Sequence, residues 1–208
     1  KTALAEIKIL NVFINQNNFF DRENIKISEV FIDEANFSLS NNNLEILYKN
    51  SETKFSKKKI KIKNSNIFLK NNLDEVISII KISNAFLFFD EKNLFNIFDL
   101  KGKIFNIPFK LEYQNIIKSQ KKIEIKAPDL KLKIINEIFK IDEDSVSGKN
   151  NISILNSSFS TKYNIKDQII ILQSDGSRIY NSKIDYNGQL ALNPFNLNLK
   201  INLDNYKI

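Results

Sequence analysis

Carboxylates are the main side chains that could do chemistry in this 208-residue chain, because it contains neither His nor Cys. Imidazole bases, thiol nucleophiles and most transition-metal sites are excluded together with those two residue types. The densest acidic cluster is Asp142, Glu143 and Asp144, followed by Ser145. A calcium loop needs oxygen ligands at alternating positions, a turn glycine and a terminal Glu, and that spacing is missing. The cluster therefore predicts no metal site.

Other catalytic signatures are also missing from the sequence. The four glycines (Gly102, Gly148, Gly176 and Gly188) are isolated, so no phosphate-cradling loop is present. Carboxylate pairs could cleave glycosides, but the chain has no Trp and no aromatic-rich platform for a sugar. We therefore expect a non-enzymatic protein that needs no cofactor.

Nucleic-acid binding is the function that the formal net charge of +7 would suggest first. The charge comes from Lys, and the abundance of Lys, Asn, Ile and Phe is what an AT-rich genome would encode. Phe recurs at inward strand positions and Lys at the alternate outward ones: Phe37, Phe89 and Phe159, against Lys61, Lys63, Lys131 and Lys133. This division is typical of an amphipathic sheet, so we expect no nucleic-acid partner.

A degenerate eight-residue pattern recurs six times along the chain. It reads Ile, any residue, usually Asn, a small residue or Pro, any residue, an apolar residue, any residue, and usually another apolar residue. The copies begin at Ile32, Ile62, Ile82, Ile125, Ile154 and Ile179. Their unequal spacing argues against a tight β-helix and favours strands joined by turns of variable length.

The pattern predicts a bulged strand. Its first Ile and its later apolar pair have opposite parity, so an uninterrupted strand would place them on opposite faces. One extra residue at the Asn-small pair would shift the alternation by one and return both halves to the same face. Each copy would then add an apolar stripe to one side of a mostly antiparallel, curved sheet.

Other segments complete an all-β prediction. Further strands are expected over Ile104–Tyr113, Gln168–Gln173 and Phe195–Leu203, the last with the strict alternation of a half-buried strand. Polar turns are expected at Ser40–Asn43, Asn71–Asn72, Ser147–Asn150 and Asp175–Gly176, and a solvated loop at Ser51–Lys59. Short helices are possible over the first ten residues and over Ile134–Ile141. No run of apolar residues approaches the length of a membrane span, the longest being Ala85–Phe89.

The repeated units resemble those of AsmA-like proteins, the bacterial envelope proteins of the TamB and YhdP group. Two further stretches carry the resemblance: G-K-I-F-N-I-P-F-K-L-E-Y over Gly102–Tyr113, and K-I-D-Y-N-G-Q-L-A-L-N-P-F-N-L-N over Lys183–Asn198. The likeness covers residues 25–208 and brings no catalytic residues with it.

The resemblance implies a repeating β-groove protein on the periplasmic face of the inner membrane, which takes part in phospholipid transfer or outer-membrane biogenesis. The chain contains no Met, and we interpret residues 1–208 as a single fragment of a longer repeat domain. The parent's N-terminal membrane anchor and C-terminal part would then lie outside it. The expected partners are phospholipid acyl chains, the membrane through that anchor, and other envelope proteins.

The residues predicted to line the groove are the apolar members of the repeated units: Ile32, Phe37, Leu39, Ile62, Ile67, Leu69, Ile82, Leu87, Phe89, Leu130, Leu132, Phe159 and Ile184. One structural alternative is a closed β-sandwich in which the same stripes form a dry core. One functional alternative is a surface adhesin or scaffold that recruits partners through a sheet edge.

Overall fold

The computed structural model describes residues 4–15, 26–40, 53–116, 120–140, 145–192 and 194–204. Across these residues the chain is all-β, with one three-residue 3₁₀ turn and mostly antiparallel pairing, as the sequence predicted. The chain divides into two compact units, Lys1–Ile117 (unit 1) and Lys118–Ile208 (unit 2).

Unit 1 is a sheet whose strands are hydrogen-bonded in chain order. They are β1 (Ala5–Ile14), β2 (Ile27–Leu39), β3 (Lys59–Lys70), β4 (Val76–Asp90), β5 (Phe95–Ile104) and β6 (Ile107–Ile116). The β2–β3 pair is parallel, and the other neighbours are antiparallel.

Unit 2 is an antiparallel sheet. Its elements are β7 (Gln120–Ala127), the 3₁₀ turn (Pro128–Leu130), β8 (Leu132–Lys140), β9 (Ser145–Ile154), β10 (Ser157–Lys166), β11 (Ile169–Ser174), β12 (Ser177–Ile179), β13 (Ser182–Leu192) and β14 (Phe195–Leu203). The strands pair in the order β7-β8-β9-β10-β11-β13-β14, and the short β12 pairs with both β10 and β13.

Each unit is a single layer over the residues that the structure describes. Among the described residues, the extensive contacts of every strand are with strands hydrogen-bonded to it. The apolar cluster of unit 1 likewise draws its described members only from neighbouring strands of one sheet. The described strands of each unit thus belong to one sheet rather than to the two facing sheets of a closed sandwich.

The first three copies of the repeated pattern contain the predicted backbone irregularity inside a strand. Glu34 in β2 and Asn64 in β3 have positive φ angles, 53° and 44°. In β4 the register with β5 shifts between Ile82 and Asn84, so Ser83 is an extra residue. A bulge that returns both halves to one side is confirmed for these copies, because Ile82 and Leu87 belong to the same apolar cluster despite their opposite parity. In β4 the extra residue directly precedes the predicted Asn84-Ala85 pair.

The last three copies form reversals of the chain, so a bulge within a strand is wrong there. Ile154 pairs with Ser157 and Ile179 with Ser182, which leaves two-residue turns that begin at Leu155 and Tyr180 with φ near 52°. In the copy from Ile125, the 3₁₀ turn joins β7 to β8. A left-handed residue can bend a strand or close a hairpin, and the strand that pairs next decides which occurs.

Three further expectations were wrong. Residues 5–14 and 132–140 are strands rather than helices, since pairing with β2 and with β7 and β9 overrides weak local preference. Ser147–Asn150 lies inside β9, where Gly148 makes room for the Tyr163 ring; a Cβ at Gly148 would lie 2.3 Å from it. Strand β14 has the predicted bounds, but all nine of its residues are exposed.

The remaining segments mostly follow the prediction. Asn71–Asn72 opens the β3–β4 turn, and the bend at Asp175–Gly176 has Gly176 at φ 80°. The strand expected over Gln168–Gln173 is present as Ile169–Ser174. The single strand expected over Ile104–Tyr113 is wrong at its start, because the Phe105–Asn106 turn separates Ile104 from the strand that begins at Ile107. Within the Ser51–Lys59 loop, residues 53–58 have no regular structure. The turn predicted at Ser40–Asn43 and the acidic cluster Asp142–Asp144 fall mostly or wholly outside the described residues.

Candidate functional site

One side of the unit 1 sheet carries a continuous cluster of apolar side chains, which we call the apolar face. Four of its members are fully buried, and the others are packed against them and partly exposed. The members are Ile32, Phe37, Ile60, Ile62, Ile67, Ile82, Ala85, Leu87, Phe98, Leu100, Phe109 and Leu111.

The apolar face is ordered in rows that run across the strands. The central row passes through directly opposed residues of five strands: Ile32, Ile62, Ala85, Leu100 and Leu111. A parallel row on one side passes through Ile60, Leu87 and Phe98, and one on the other side through Phe37, Ile67 and Ile80. Cross-strand apolar neighbours of this kind stabilise a sheet and give it an unbroken apolar surface.

Small residues lie at the most crowded points of this face. Ala35, Ser65 and Ala85 occupy the small-residue position of their repeats and are almost completely inaccessible to solvent. Gly102 belongs to the same region, and a Cβ there would lie 2.4 Å from the backbone oxygen of Lys81. Larger apolar side chains of the same sheet pack beside Ala85 in this face and contribute to its burial.

A serine hydroxyl satisfies the backbone where β2 and β3 deviate from regular pairing. The Ser65 hydroxyl donates to the backbone oxygen of Lys63 at 2.6 Å and accepts the backbone N–H of Ala35 at 3.0 Å. On the opposite, solvated side of these strands, Asn64 donates to Asp33 and Asn66 donates to Asn36, both at 3.0 Å. The asparagines of the repeat thus pair outward while the small residues lie inward.

Polar groups close the apolar face at one end. Phe89 is buried, and beside it in the register lies Asn96, which is inaccessible to solvent. The Asn96 side chain accepts the backbone N–H of Phe55 at 2.8 Å and donates to the backbone oxygen of Thr53 at 2.7 Å. The segment before β3 is thereby held against this end of the sheet.

Several charged groups of unit 1 lie on the opposite side of the sheet, where they pair with one another. Lys61 contacts Glu29 at 2.7 Å, and Lys110 contacts both Asp99 and Glu112. Hydrogen bonds to Glu112 and then Asp99 raise the pKa of Lys110 above its usual value, against the opposing effect of desolvation.

The side of the unit 2 sheet that carries Leu132 and Phe159 is interrupted by polar residues. Asn136, Asn150, Thr161 and Ser174 follow one another directly across β8, β9, β10 and β11. Thr161 shares a 2.5 Å hydrogen bond with the Tyr186 hydroxyl. This polar row breaks the apolar surface that the repeated pattern predicted for the whole chain.

Tyrosine fixes part of this polar row. The Tyr163 ring lies over Gly148, and its hydroxyl donates to the side-chain oxygen of Asn136 at 2.8 Å. Burial raises the pKa of Tyr163 above its usual value.

The predicted lining residues fall into three groups. Ile32, Phe37, Ile62, Ile67, Ile82 and Leu87 belong to the apolar face. Leu39 and Leu69 are paired next to it, and Phe89 is buried at its polar end. Leu132, Phe159 and Ile184 are in unit 2, Ile184 being buried. Leu130 lies in the 3₁₀ turn with 41% exposure, not in a strand, because Pro128 and the left-handed Lys131 reverse the chain there.

The repeated pattern did not reveal the contribution of β5 and β6. Phe98, Leu100, Phe109 and Leu111 belong to the apolar face although no copy of the pattern includes them. The signal for Phe98 and Leu100 is the plain period-two alternation from Phe98 to Ile104, which lacks the Asn-small pair. Phe109 and Leu111 lie within the strand that was predicted over Ile104–Tyr113.

The described residues contain no cluster of three or more acidic ligands able to hold a metal ion. None of the helical structure in them is long and apolar enough to cross a membrane.

No protein-family model matches the chain, and neither does any curated protein or solved structure. The fold and the candidate site define the chain as an all-β protein with an apolar face on one side of a sheet. Its resemblance to AsmA-like proteins remains a prediction from the sequence.

Proposed function

We propose that this chain is a non-enzymatic segment of a bacterial envelope protein that shelters phospholipid acyl chains along the apolar face of unit 1. The observation that carries the proposal is a continuous set of apolar side chains on one side of the sheet, whose described members all come from neighbouring strands of that sheet. In this role the protein takes part in phospholipid transfer between the inner and outer membranes or in outer-membrane biogenesis, and works from the periplasmic face of the inner membrane.

Energetics favours acyl chains as the occupants. Each methylene group withdrawn from water stabilises the bound state by about 0.8 kcal/mol, so a chain lying along several rows gains substantially without any polar contact. Rows of similar apolar residues also offer equivalent positions along the face. A lipid chain can therefore shift from row to row, whereas one deep site would retain it.

Site-specific photo-crosslinking in Gram-negative cells tests the proposal. A photoreactive residue replacing Phe98 or Leu69 is expected to give phospholipid adducts that mass spectrometry identifies. Ile97 is the matched control, because it adjoins Phe98 in β5 but has the opposite strand parity. Absence of lipid adducts at both Phe98 and Leu69, or equal yields at Ile97, would contradict the proposed function.

One observation favours an interaction protein instead. The described residues pair β14 with β13 alone, and the apolar side chains of β14 from Phe195 to Leu203 are 40–75% exposed. A partner strand could extend the sheet at this edge. Protein adducts from a photoreactive residue at Leu199, with no lipid adducts from Phe98, would support this second function.

A further inference from the structure

Two hairpin ends of unit 1 lie side by side at one end of its sheet. The β3–β4 connection follows Lys70, and the β5–β6 connection is the two-residue turn Phe105–Asn106. Ile80 of β4 is directly opposite Ile67 of β3 and Ile104 of β5, which brings both connections to the same end.

Large apolar side chains at this end point into solvent. Leu73 is 78% exposed, Phe105 74% and Ile77 63%. Neighbouring Ile79 is also exposed. Apolar side chains grouped at the tips of hairpins are typical of contact sites for membranes or other proteins, because their exposure to water is unfavourable.

Two lysines adjoin these apolar side chains. Lys81 of β4 is directly opposite Lys103 of β5, and like charges in that relation destabilise a sheet. In the described part of the chain, neither lysine has a carboxylate within ion-pair distance, whereas nearby Asp74 pairs with Lys70 at 3.2 Å. The two cations are thus placed to bind an external anion.

The lysines and the apolar side chains border one open depression of about 360 Å³. Its lining residues are Val76, Ile77, Ser78, Ile79, Lys81, Lys103, Phe105 and Asn106. We propose that this depression and the adjoining Leu73, together the tip patch, dock on the surface of an anionic phospholipid bilayer. Phe105, Ile77 and Leu73 enter the boundary between headgroups and acyl chains, and Lys81 and Lys103 contact the lipid phosphates.

The tip patch is separate from the apolar face and does not depend on the function proposed for it. Lys81 and Lys103 have the opposite strand parity to Ile82 and Leu100 of that face. A protein could therefore dock through the tip patch whether or not its apolar face carries lipid chains.

A tryptophan reporter tests the insertion, because the chain has no Trp of its own. Phe105→Trp is expected to show a blue-shifted emission with phosphatidylglycerol–phosphatidylcholine vesicles and to be quenched by lipids brominated on their acyl chains. Leu155→Trp is the matched control, since Leu155 is the exposed first residue of a two-residue turn with φ 52°, close to the 49° of Phe105. No shift for Phe105→Trp, or an equal shift for Leu155→Trp, overturns the proposal.

Vesicle sedimentation tests the charge requirement. Lys81→Gln combined with Lys103→Gln is expected to weaken binding to the anionic vesicles roughly 30-fold, because each basic residue near such a surface contributes about 1 kcal/mol. Lys166→Gln combined with Lys200→Gln lowers the net charge equally at exposed positions in unit 2, and is expected to bind almost as the unsubstituted chain does. Equal losses in the two double variants, or equal binding of the unsubstituted chain to pure phosphatidylcholine vesicles, contradict docking by the tip patch.

Discussion

Ser65 is buried where β2 and β3 run parallel, and its hydroxyl hydrogen-bonds the backbone of both strands. Ala occupies the equivalent repeat position in β2 and β4, at Ala35 and Ala85, so the small volume is common to all three copies while the hydroxyl is particular to β3. The Ser65 hydroxyl accepts the backbone N–H of Ala35, which would otherwise be buried without an acceptor.

Replacing Ser65 by Ala is expected to lower the free energy of unfolding by about 1–3 kcal/mol, the cost of leaving a buried donor unsatisfied. Ser83→Ala is the control, since the Ser83 hydroxyl also donates to a backbone oxygen, that of Lys101, but is exposed. The free energy of unfolding of Ser83→Ala should fall by less than about 0.5 kcal/mol. Urea denaturation followed by circular dichroism measures the free energy of unfolding of both variants. Equal losses would show that the buried hydrogen bond stabilises the fold no more than the exposed one.

Strands β2, β3 and β4 share an architectural device, a local break in pairing that leaves apolar residues of both halves on one side of the sheet. In β2 and β3 the break is a left-handed residue, Glu34 or Asn64, at matching positions of the parallel pair. In β4 it is the extra residue Ser83 opposite β5. Strand β5 has no break and keeps simple alternation. The register between bulged and regular strands therefore shifts at Ser83 of β4, where β4 pairs with β5.

Asn64→Val tests the left-handed position in β3. A β-branched residue resists positive φ, so the free energy of unfolding should fall by about 1–2 kcal/mol. Asn64→Gly keeps the backbone conformation and loses only the exposed hydrogen bond to Asp33, so it should remain close to the unsubstituted chain.

Asn66→Val is the matched control for this experiment, because Asn66 lies two residues further along β3 with no positive φ. Valine suits an extended position, and a loss well below that of Asn64→Val is expected in chemical denaturation. If both asparagines tolerated Val equally, the proposed strain at residue 64 would be refuted.

At the scale of the whole molecule, both units are built from mostly antiparallel sheets, but the side chains on their surfaces differ in polarity. Unit 1 presents a continuous apolar face, whereas unit 2 carries a row of polar side chains through Thr161 on the side of its sheet that also holds Phe159. The ion pairs of both units involve side chains that are exposed or partly exposed. Single surface pairs of this kind contribute little, so apolar packing and backbone pairing dominate stability.

Acid is expected to destabilise the chain through its better-shielded ion pairs. A hydrogen bond from Lys126 lowers the pKa of Glu124, with Lys133 contributing and burial opposing. Since the folded-state pKa is depressed, the stabilisation is complete above the unfolded value, about 4.3, and is lost as the pH falls through the lower folded value. Glu124→Gln should therefore lose less stability than the unsubstituted chain between pH 6 and pH 3.

Asp129→Asn provides the comparison, because Asp129 lies exposed in the 3₁₀ turn and has no ion pair within the described residues. Its urea midpoint should decline with acid as steeply as that of the unsubstituted chain. If Glu124→Gln declined equally steeply, the Glu124 ion pairs would not be a source of the acid sensitivity.

The sequence by itself determined the strand-rich fold, the bulges of the first three repeats and many members of the apolar face on β2, β3 and β4. Alternation and left-handed Asn positions are properties of a few consecutive residues, so they can be read without knowing the partner strands. The exposed state of β14 was not readable in this way, because its strict alternation is the same whether or not another layer covers it.

Only the tertiary structure decided whether an Asn-small pair bends a strand or reverses the chain. The pair at Asn64-Ser65 continues into a strand bonded on both sides, whereas the pair at Asn156-Ser157 begins a strand that folds back on β9. The left-handed residue is Asn64 itself in the first place and Leu155, directly before the pair, in the second. The choice depends on which distant strands are available for hydrogen bonding, and that is a property of the assembled sheet rather than of the repeat.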